Sequence, residues 1–492
     1  MPHLRQRTTC ALLLCGAAMI AAIPSAAQSA EDYQALRTKV AQLQQQLDAV
    51  QGALDATHPP AQPVPVVAAT PAQTAPAQTA PAPIAHPAIA RAAAPDPLPR
   101  PAGTPSITAQ GGTASLPSGY GFRIGETSFR IAGFIKGDLI VSRYGNGDTA
   151  TTPLGRELLL PQSIPVGGRR SGILTDASAK QSRIAFQTAT PVGTQSLTTL
   201  IEADFQVAPA VAGGERALNP YTFGLRRAVA GYGGFAVGQD WSNFQYVAAL
   251  PETADFVGVT DGTVLVRQML LRYSRPIGTG WTVSASIENP ETVSAMAGAT
   301  ALSDNDDDSI PDVTGQLLWA SKGASLSLTG LFRSMRVDPA NGRPAATAQG
   351  YGVSLAGIAP LPTGKGDDIR FMMTGGRGLG RYVGANVAAD AIYQAADDRL
   401  VAVPLVAGFA AIRHVWTGTL RSTWMGSFQR IWNPASASPL STRQVWDTAI
   451  NLFVSPLPRL DLGVEARLSH RELANGSAGT LDRLHVTVKQ GF

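Results

Sequence analysis

The chain has 492 residues, of which 15% are charged, with a formal net charge of +4 and a mean hydropathy of +0.04. Past Ile23 it has no stretch of about 18 apolar residues, which excludes a helical membrane protein. The small net charge and the lack of a basic run exclude nucleic acid as a partner, whereas a transmembrane β-barrel fits, because alternating strands keep the mean hydropathy near zero.

Residues 1–27 have the order of a secretory signal peptide. Arg5 and Arg7 form a basic segment, residues 11–23 an apolar one, and small residues lead to a cleavage site after Ala27, with Ala30 as the alternative. The apolar segment is too short to span a bilayer as a mature helix. Loss of the two arginines lowers the formal charge from +4 to +2.

The two cysteines of the chain, Cys10 and Cys15, both lie in this predicted signal peptide. Leu14 precedes Cys15, whereas a lipoprotein signal has a small residue there, so we expect no lipid anchor. The mature chain is then free of cysteine, which excludes disulfides, thiol chemistry and cysteine-ligated metals.

Residues 28–56 carry apolar side chains at alternating spacings of three and four, the a/d pattern of three heptads. The seam residues are Tyr33, Leu36, Val40, Leu43, Leu47, Val50 and Leu54. Because so short a coil is marginal alone, we expect an α-helical coiled coil between chains that another part of the protein holds together. The alternative is a single amphipathic helix packed on its own chain.

Residues 57–117 consist mainly of Ala, Pro, Gln and Thr, with an imperfect repeat that begins at Pro71. This composition cannot form a core and predicts a disordered, partly polyproline-like linker. At about 3.1 Å per residue its contour reaches roughly 190 Å. We therefore expect a spacer between the coil and the segment that follows.

Residues 118–492 show a period of two, which is typical of strands that have one apolar and one polar face. One apolar face contains Phe129, Ile131, Ile135, Leu139 and Val141, opposite Arg130, Lys136 and Asp138; another contains Leu460, Leu462, Val464, Ala466 and Leu468, opposite Asp461, Glu465 and Arg467. Such strands run to nine or more residues, the length that a tilted membrane strand requires. The pattern predicts an all-β fold, a transmembrane antiparallel β-barrel.

Aromatic residues and turn signals agree with a barrel. All seven tryptophans of the chain lie in residues 118–492, as interfacial girdles require. Short turn signals such as residues 276–280 alternate with longer polar stretches, which indicates short turns at one end and long loops at the other. The length of the segment allows about 16 strands, a size at which a barrel encloses water.

Several motifs resemble the DcaP-like porins of Gram-negative outer membranes. They are Arg226 to Phe244 with its Gly-Gln-Asp-Trp-Ser core, Leu250 to Phe256, Ile287 to Thr292, Gly376 to Tyr382 and the final Phe492. The resemblance implies a sixteen-stranded homotrimeric barrel with a periplasmic coiled coil that passes small anions, notably dicarboxylates. Gln490 departs from the pattern, because an assembly signal usually has an apolar or aromatic residue there.

Cationic side chains on the polar faces are the candidate solute-binding groups of the lumen, since rings of charge set selectivity in a wide barrel. They are Lys136, Arg183, Arg226, Arg272, Arg333, Arg370, Arg421 and Arg467. The planar guanidinium binds carboxylates bidentately, which favours small anionic solutes. The alternative is that these groups pair across strands with lumenal carboxylates and only stabilise the wall.

Signals for other chemistry are poor. The six histidines are scattered without metal-ligand spacing, and no nucleophile motif occurs. The acidic stretch from Asp304 to Asp312 lacks the glycine of a calcium loop, which favours a solvated external loop. We therefore predict no metal, no cofactor and no enzymatic activity. The stretch from Asp255 to Val264 is a candidate for an inward-folded constriction loop.

Taken together, these features predict a homotrimeric porin, surrounded by lipid of the cell outer membrane, with its coil in the periplasm. It would allow passive diffusion of small hydrophilic solutes and prefer dicarboxylate-like anions. The alternatives are a weakly selective general porin and a structural tether between outer membrane and cell wall.

Overall fold

The computed structural model describes residues 121–147, 153–206, 221–305, 307–339, 342–363 and 366–492. The predicted signal peptide, coiled coil and linker lie outside the described residues. Within the described residues, no helix is long and apolar enough to cross a membrane.

Long strands at regular intervals form one sheet, as the period of two predicts. They are β1 (Gly121–Ile124), β2 (Thr127–Tyr144), β3 (Leu174–Ser178), β4 (Arg183–Val192), β5 (Gln195–Asp204), β6 (Gly224–Tyr232), β7 (Phe235–Trp241), β8 (Arg267–Gly278), β9 (Trp281–Glu288), β12 (Asp312–Ala320), β13 (Ser325–Val337), β14 (Ala346–Pro360), β15 (Asp368–Arg377), β18 (Pro404–Val415), β19 (Leu420–Ile431), β20 (Thr442–Leu457), β21 (Leu460–Leu473) and β22 (Ala478–Gly491).

Shorter elements lie in the loops between these strands. A second sheet joins β10 (Val293–Met296), β11 (Leu302–Asp304), β16 (Ala391–Gln394) and β17 (Arg399–Ala402). One helical turn, α1, covers Pro153–Glu157, and 3-10 turns cover Pro161–Ser163, Val247–Ala249 and Thr260–Gly262.

The large sheet closes into a barrel because its first long strand pairs with its last. β2 pairs with β22 over Phe134–Tyr144, and on its other side with β4 and then β3. Since β3 and β4 share one position in the wall and β1 is only a short hairpin arm, the barrel has sixteen antiparallel positions. The predicted fold class is confirmed. Backbone bonds between Gly133 and Phe492 fasten the C-terminus to the first strand.

The two ends of the barrel differ, as the turn signals predict. Connections of two to seven residues, from 193–194 to 458–459, form the turn end. At the loop end the connections include residues 145–173, 242–266, 289–311 and 378–403. Gly280 shows why the turns are rich in glycine: its φ is +78°, and a side chain would meet the carbonyl oxygen of Ala320 at 2.4 Å.

Side chains alternate between an apolar exterior and a polar interior. Ile135 is 65% exposed on the outside, whereas its neighbour Lys136 is 6% exposed on the inside. Five tryptophans are exposed on the outer face, as lipid-facing girdles require. They are Trp281, Trp416, Trp424, Trp432 and Trp446.

One sector of the wall breaks this alternation. In β18 the inward residues Leu405, Ala407, Phe409 and Ala411 are apolar, as the outward ones are. They belong to a buried cluster that includes Val259 and Val383 of two loops. An apolar inner face is stable here because these loops, and not water, cover it.

Candidate functional site: the inward loops and the charged wall

The connection between β7 and β8, residues 242–266, folds into the barrel. We call it the constriction loop. Its side chains Phe244, Val259 and Val264 are fully buried in a cluster with wall residues such as Met425 and Ala449. The prediction that this stretch turns inward agrees with its contacts.

Side chains of the wall fix the constriction loop by its backbone. Four of them donate to loop carbonyl oxygens: Arg370 Nη1 to Leu250 (2.7 Å), Asn451 Nδ2 to Glu252 (2.8 Å), Lys136 Nζ to Ala254 (2.6 Å) and Arg467 Nη1 to Gly258 (2.5 Å). A loop in an open lumen has few backbone partners of its own, so these donors replace the bonds of a sheet.

A salt bridge and two hydrogen bonds to a carboxylate add to this attachment. Arg421 forms a bidentate pair with Glu252 of the loop, 2.7 Å for each bond, and also contacts Asp461 at 2.9 Å. Glu465 of β21 accepts hydrogen bonds from the Thr253 hydroxyl and the Ala254 amide. Lys136, Arg370, Arg421 and Arg467, four of the eight cations that the sequence indicates, are therefore engaged in holding the loop.

The tip of the constriction loop lies directly on the opposite wall. A side chain on Gly262 would meet the carbonyl oxygen of Gly408 at 2.3 Å, which leaves room only for glycine. Beside it, Ser427 Oγ donates a 2.5 Å hydrogen bond to Asp261 Oδ1, while Asp261 Oδ2 is buried without a partner. Burial, followed by the charge of Asp447, raises the pKa of Asp261 to about 7.

The wall from β4 to β8 carries a second group of cations, which we call the arginine wall. It consists of Arg183, Arg226, Arg227, Arg267 and Arg272. Three carboxylates lie among them: Arg226 contacts Glu202 (2.9 Å) and Asp204 (2.6 Å), Arg183 contacts Asp204 (3.4 Å), and Asp240 contacts Arg227 (2.6 Å) and Arg272 (2.9 Å). Five cations against three anions leave a net charge of +2.

Arg226 and Arg227 are adjacent in sequence, yet both are buried inside. The register between β5 and β6 shifts between Glu202 and Ala203, and a bulge of this kind lets two consecutive residues share one face. Simple alternation selects Arg226 and misses Arg227. Arg267 is also missed, because it is the first residue after the long constriction loop.

Aromatic rings alternate with the guanidinium groups of the arginine wall. Phe256 of the constriction loop lies 5.9 Å from Arg183 and 5.0 Å from Arg226, centroid to Cζ. Trp241 lies 5.9 Å from Arg226 and 5.0 Å from Arg267. Arg267 forms no ion pair with a carboxylate in the described part of the chain, and its Nη1 is buried without a hydrogen bond.

Arg333, the remaining predicted cation, is 1% exposed and lies beneath the external loops. It contacts Asp312 and Asp390 rather than open lumen. The acidic stretch nearby is likewise engaged: Asp308 accepts from Thr292 at 2.9 Å and from the Arg336 amide at 2.8 Å. Among the described residues, no group of three or more acidic or histidine side chains could hold a metal ion.

A closed barrel with an apolar exterior, a charged interior and an inward-folded loop defines a transmembrane channel. The chain belongs to the porin subfamily, whose sequence pattern matches residues 119–396, more than half of its length. Porins are outer-membrane barrels, which confirms the expected location of this barrel. No curated protein sequence matches the chain.

The chain is similar to several solved structures. The outer membrane channel DcaP of Acinetobacter baumannii is 19% identical, with a TM-score of 0.59 over 76% of this chain and 99% of that one. OmpT of Vibrio cholerae is 8% identical (TM-score 0.46; 76% and 100%), and OmpF of Salmonella typhi 10% (TM-score 0.46; 75% and 98%). The family match and the shared fold with DcaP confirm the resemblance to DcaP-like porins.

Proposed function

We propose that this porin conducts small hydrophilic solutes by passive diffusion and prefers anions, with small carboxylates as its substrate class. The observation that supports this is the arginine wall, which has five guanidinium groups and three carboxylates. Guanidinium groups bind carboxylates in a bidentate geometry, and a lumenal wall of excess positive charge lowers the energy of a passing anion.

Arg183 and Arg267 are the members best suited to contact a solute. Each has a buried nitrogen without a hydrogen bond, Arg183 Nε and Arg267 Nη1. Arg226 and Arg227 are instead closely paired with Glu202, Asp204 and Asp240. The pairs fix the geometry of the wall, while the two less saturated arginines supply donors.

The proposed active form is a homotrimer. β7 has seven residues and β9 eight, whereas β20 has 16. Seven residues tilted by about 45° rise only about 16 Å, less than the roughly 25 Å apolar band of a barrel wall. The outer side chains on this part of the wall, where the strands are short, include the exposed Val237 and Ile287. Another protomer would cover them better than lipid. The predicted coil would bring the protomers together from the periplasm.

The reversal potential in a KCl gradient across a planar bilayer tests the preference. Wild-type channels should show an anion-selective reversal potential, which the double variant Arg183→Gln/Arg267→Gln should shift towards zero. Arg399→Gln is the matched control, because Arg399 is an exposed cation of the short strand β17, outside the arginine wall. Added succinate should block the wild type more than the double variant. A wild-type reversal potential of zero without succinate block would instead indicate a general porin.

A further inference from the structure

A second loop, residues 378–403 between β15 and β18, also enters the lumen, and we call it the buttress loop. Leu379, Tyr382 and Val383 are fully buried in the same apolar cluster as the constriction loop. Nothing in its alanine-rich sequence distinguishes it from an ordinary external loop. Contacts with the constriction loop and with the wall hold it inside the barrel.

The buttress loop pairs directly with the constriction loop. Val264 and Val383 form an antiparallel β-bridge. The Leu265 amide donates to the Tyr382 carbonyl at 2.8 Å, and the Gly384 amide donates to the Thr263 carbonyl at 3.1 Å. These bonds join the backbones of the two loops, so a shift of one displaces the other.

Arg333 lies where the buttress loop meets the wall and the loop between β9 and β12. Its side chain contacts Asp312 (Nε–Oδ2 3.3 Å), Asp390 (Nη1–Oδ2 3.1 Å) and the carbonyl oxygens of Gly378 (3.1 Å) and Glu291. Its Cζ also lies 5.3 Å from the centre of the Tyr382 ring. One buried guanidinium thereby connects β13, β12 and two loops.

Tyr382 continues this network towards the constriction loop. Its hydroxyl donates to Asp312 at 2.8 Å and accepts from Gln268 at 2.9 Å. Its ring contacts Phe244 of the constriction loop edge-to-face, with the centroids 5.9 Å apart. A continuous path of contacts therefore runs from Arg333 through Tyr382 to the constriction loop.

We propose that Arg333 is a positioning residue of the pore: through the buttress loop it fixes the constriction loop and so sets the single-channel conductance, without touching the solute. Removing the cation leaves Asp312 and Asp390 buried without their partner, which favours release of the loops. The barrel wall has its own backbone ladder and remains closed, so the change is local.

The variant Arg333→Gln tests this proposal in the full-length protein. We expect its single-channel conductance to rise by about 1.5-fold or more, with greater open-channel noise. Release of the loop widens the passage and allows the loop to fluctuate inside it. Arg336→Gln is the matched control: Arg336 lies on the same strand, and its partly exposed guanidinium pairs with Asp338 at 2.8 Å. A folded Arg333→Gln channel with wild-type conductance and noise would overturn the proposal.

An engineered cross-link separates positioning from other effects. Paired residues of an antiparallel bridge lie close enough for a disulfide, so V264C/V383C in the Arg333→Gln background should restore wild-type conductance when oxidised and lose it when reduced. The same cysteine pair in the wild-type background should change little. Failure of the formed cross-link to restore conductance would show that Arg333 does not act through the two loops.

Tyr382→Phe provides a test should Arg333→Gln not yield a folded barrel. It removes only the hydroxyl that links Asp312 and Gln268. The single-channel conductance of Tyr382→Phe should rise by a smaller factor than that of Arg333→Gln. A wild-type conductance would count against the proposed network.

Discussion

Ser427 of β19 donates a 2.5 Å hydrogen bond to Asp261 at the tip of the constriction loop, two residues that are 166 positions apart in the chain. Asp261 is fully buried, and its second carboxyl oxygen has no partner. An ionised carboxylate is poorly accommodated in such a position, whereas a protonated one is stable. The attachment of the loop tip therefore depends on the protonation of Asp261.

This attachment should weaken as the pH rises. Burial and the nearby Asp447 raise the pKa of Asp261 to about 7, although the Ser427 hydrogen bond and, more weakly, Arg467 oppose the shift. A raised pKa in the folded protein means that the stabilisation is complete below the ordinary aspartate pKa and is lost as the pH rises through about 7. Open-channel noise, recorded from about pH 5 to about pH 9, should therefore increase with a midpoint near neutrality.

Asp261→Asn is the control for this titration. The amide keeps the shape of the carboxyl group and accepts the Ser427 hydrogen bond at every pH, so its noise should be low and independent of pH. A variant that titrates like the wild type would assign the pH dependence to another group.

The net charge of the arginine wall should be adjustable through its acids. Glu202 is buried and contacts Arg226 at 2.9 Å and Arg183 at 3.8 Å. Glu202→Gln leaves five cations and two anions, which raises the net charge from +2 to +3 while an amide oxygen still accepts from Arg226. The anion selectivity measured from reversal potentials should increase. Glu126→Gln, at an exposed turn, should leave it unchanged, and a shift towards cations would contradict the proposed role of this wall.

Arg467 should matter more for stability than a surface arginine. It is 3% exposed and contacts both Asp447 and Glu465 as well as the carbonyl of Gly258. Arg467→Met leaves two carboxylates buried without a cation, which costs about 3–5 kcal/mol. The temperature at which the barrel unfolds in detergent, read from its heat-modifiable migration, should fall.

The unfolding temperature of Arg467→Lys should lie between those of Arg467→Met and the wild type, because lysine keeps the charge of arginine but not its planar guanidinium. The exposed Arg399→Met should unfold at the wild-type temperature. Equal stability of the two methionine variants would show that the Arg467 contacts are not important for the barrel.

The sequence predicts the wall far better than what fills it. A period of two is a local signal, so strand positions, the outward side of Ile135 and the inward side of Lys136 follow directly from it. The partners of the inward cations do not follow, because they depend on non-local contacts. Lys136 and Arg370 face inward as expected, but both donate to the constriction loop, which lies more than a hundred residues away in the chain.

Three features could not be derived from alternation alone. The inward position of Arg227 depends on a bulge in the pairing of β5 with β6. The apolar inner face of β18 is stable only because the buttress loop and the constriction loop cover it. The role of Arg333 depends on Asp390, which belongs to a loop whose sequence carries no sign that it turns inward.

Gly262 should be intolerant of even one methyl group. In the native backbone an added Cβ would lie 2.3 Å from the Gly408 carbonyl oxygen and 2.8 Å from Ser427 Cβ, so Gly262→Ala must push the loop tip away from the wall. Overpacking of this kind costs about 1–3 kcal/mol. We expect a higher single-channel conductance, greater noise and a lower unfolding temperature. Gly315→Ala is the matched control, since a side chain at Gly315 would meet nothing within 4 Å. If both alanine variants conduct like the wild type, the tip of the constriction loop does not lie against β18 and β19 in the conducting channel.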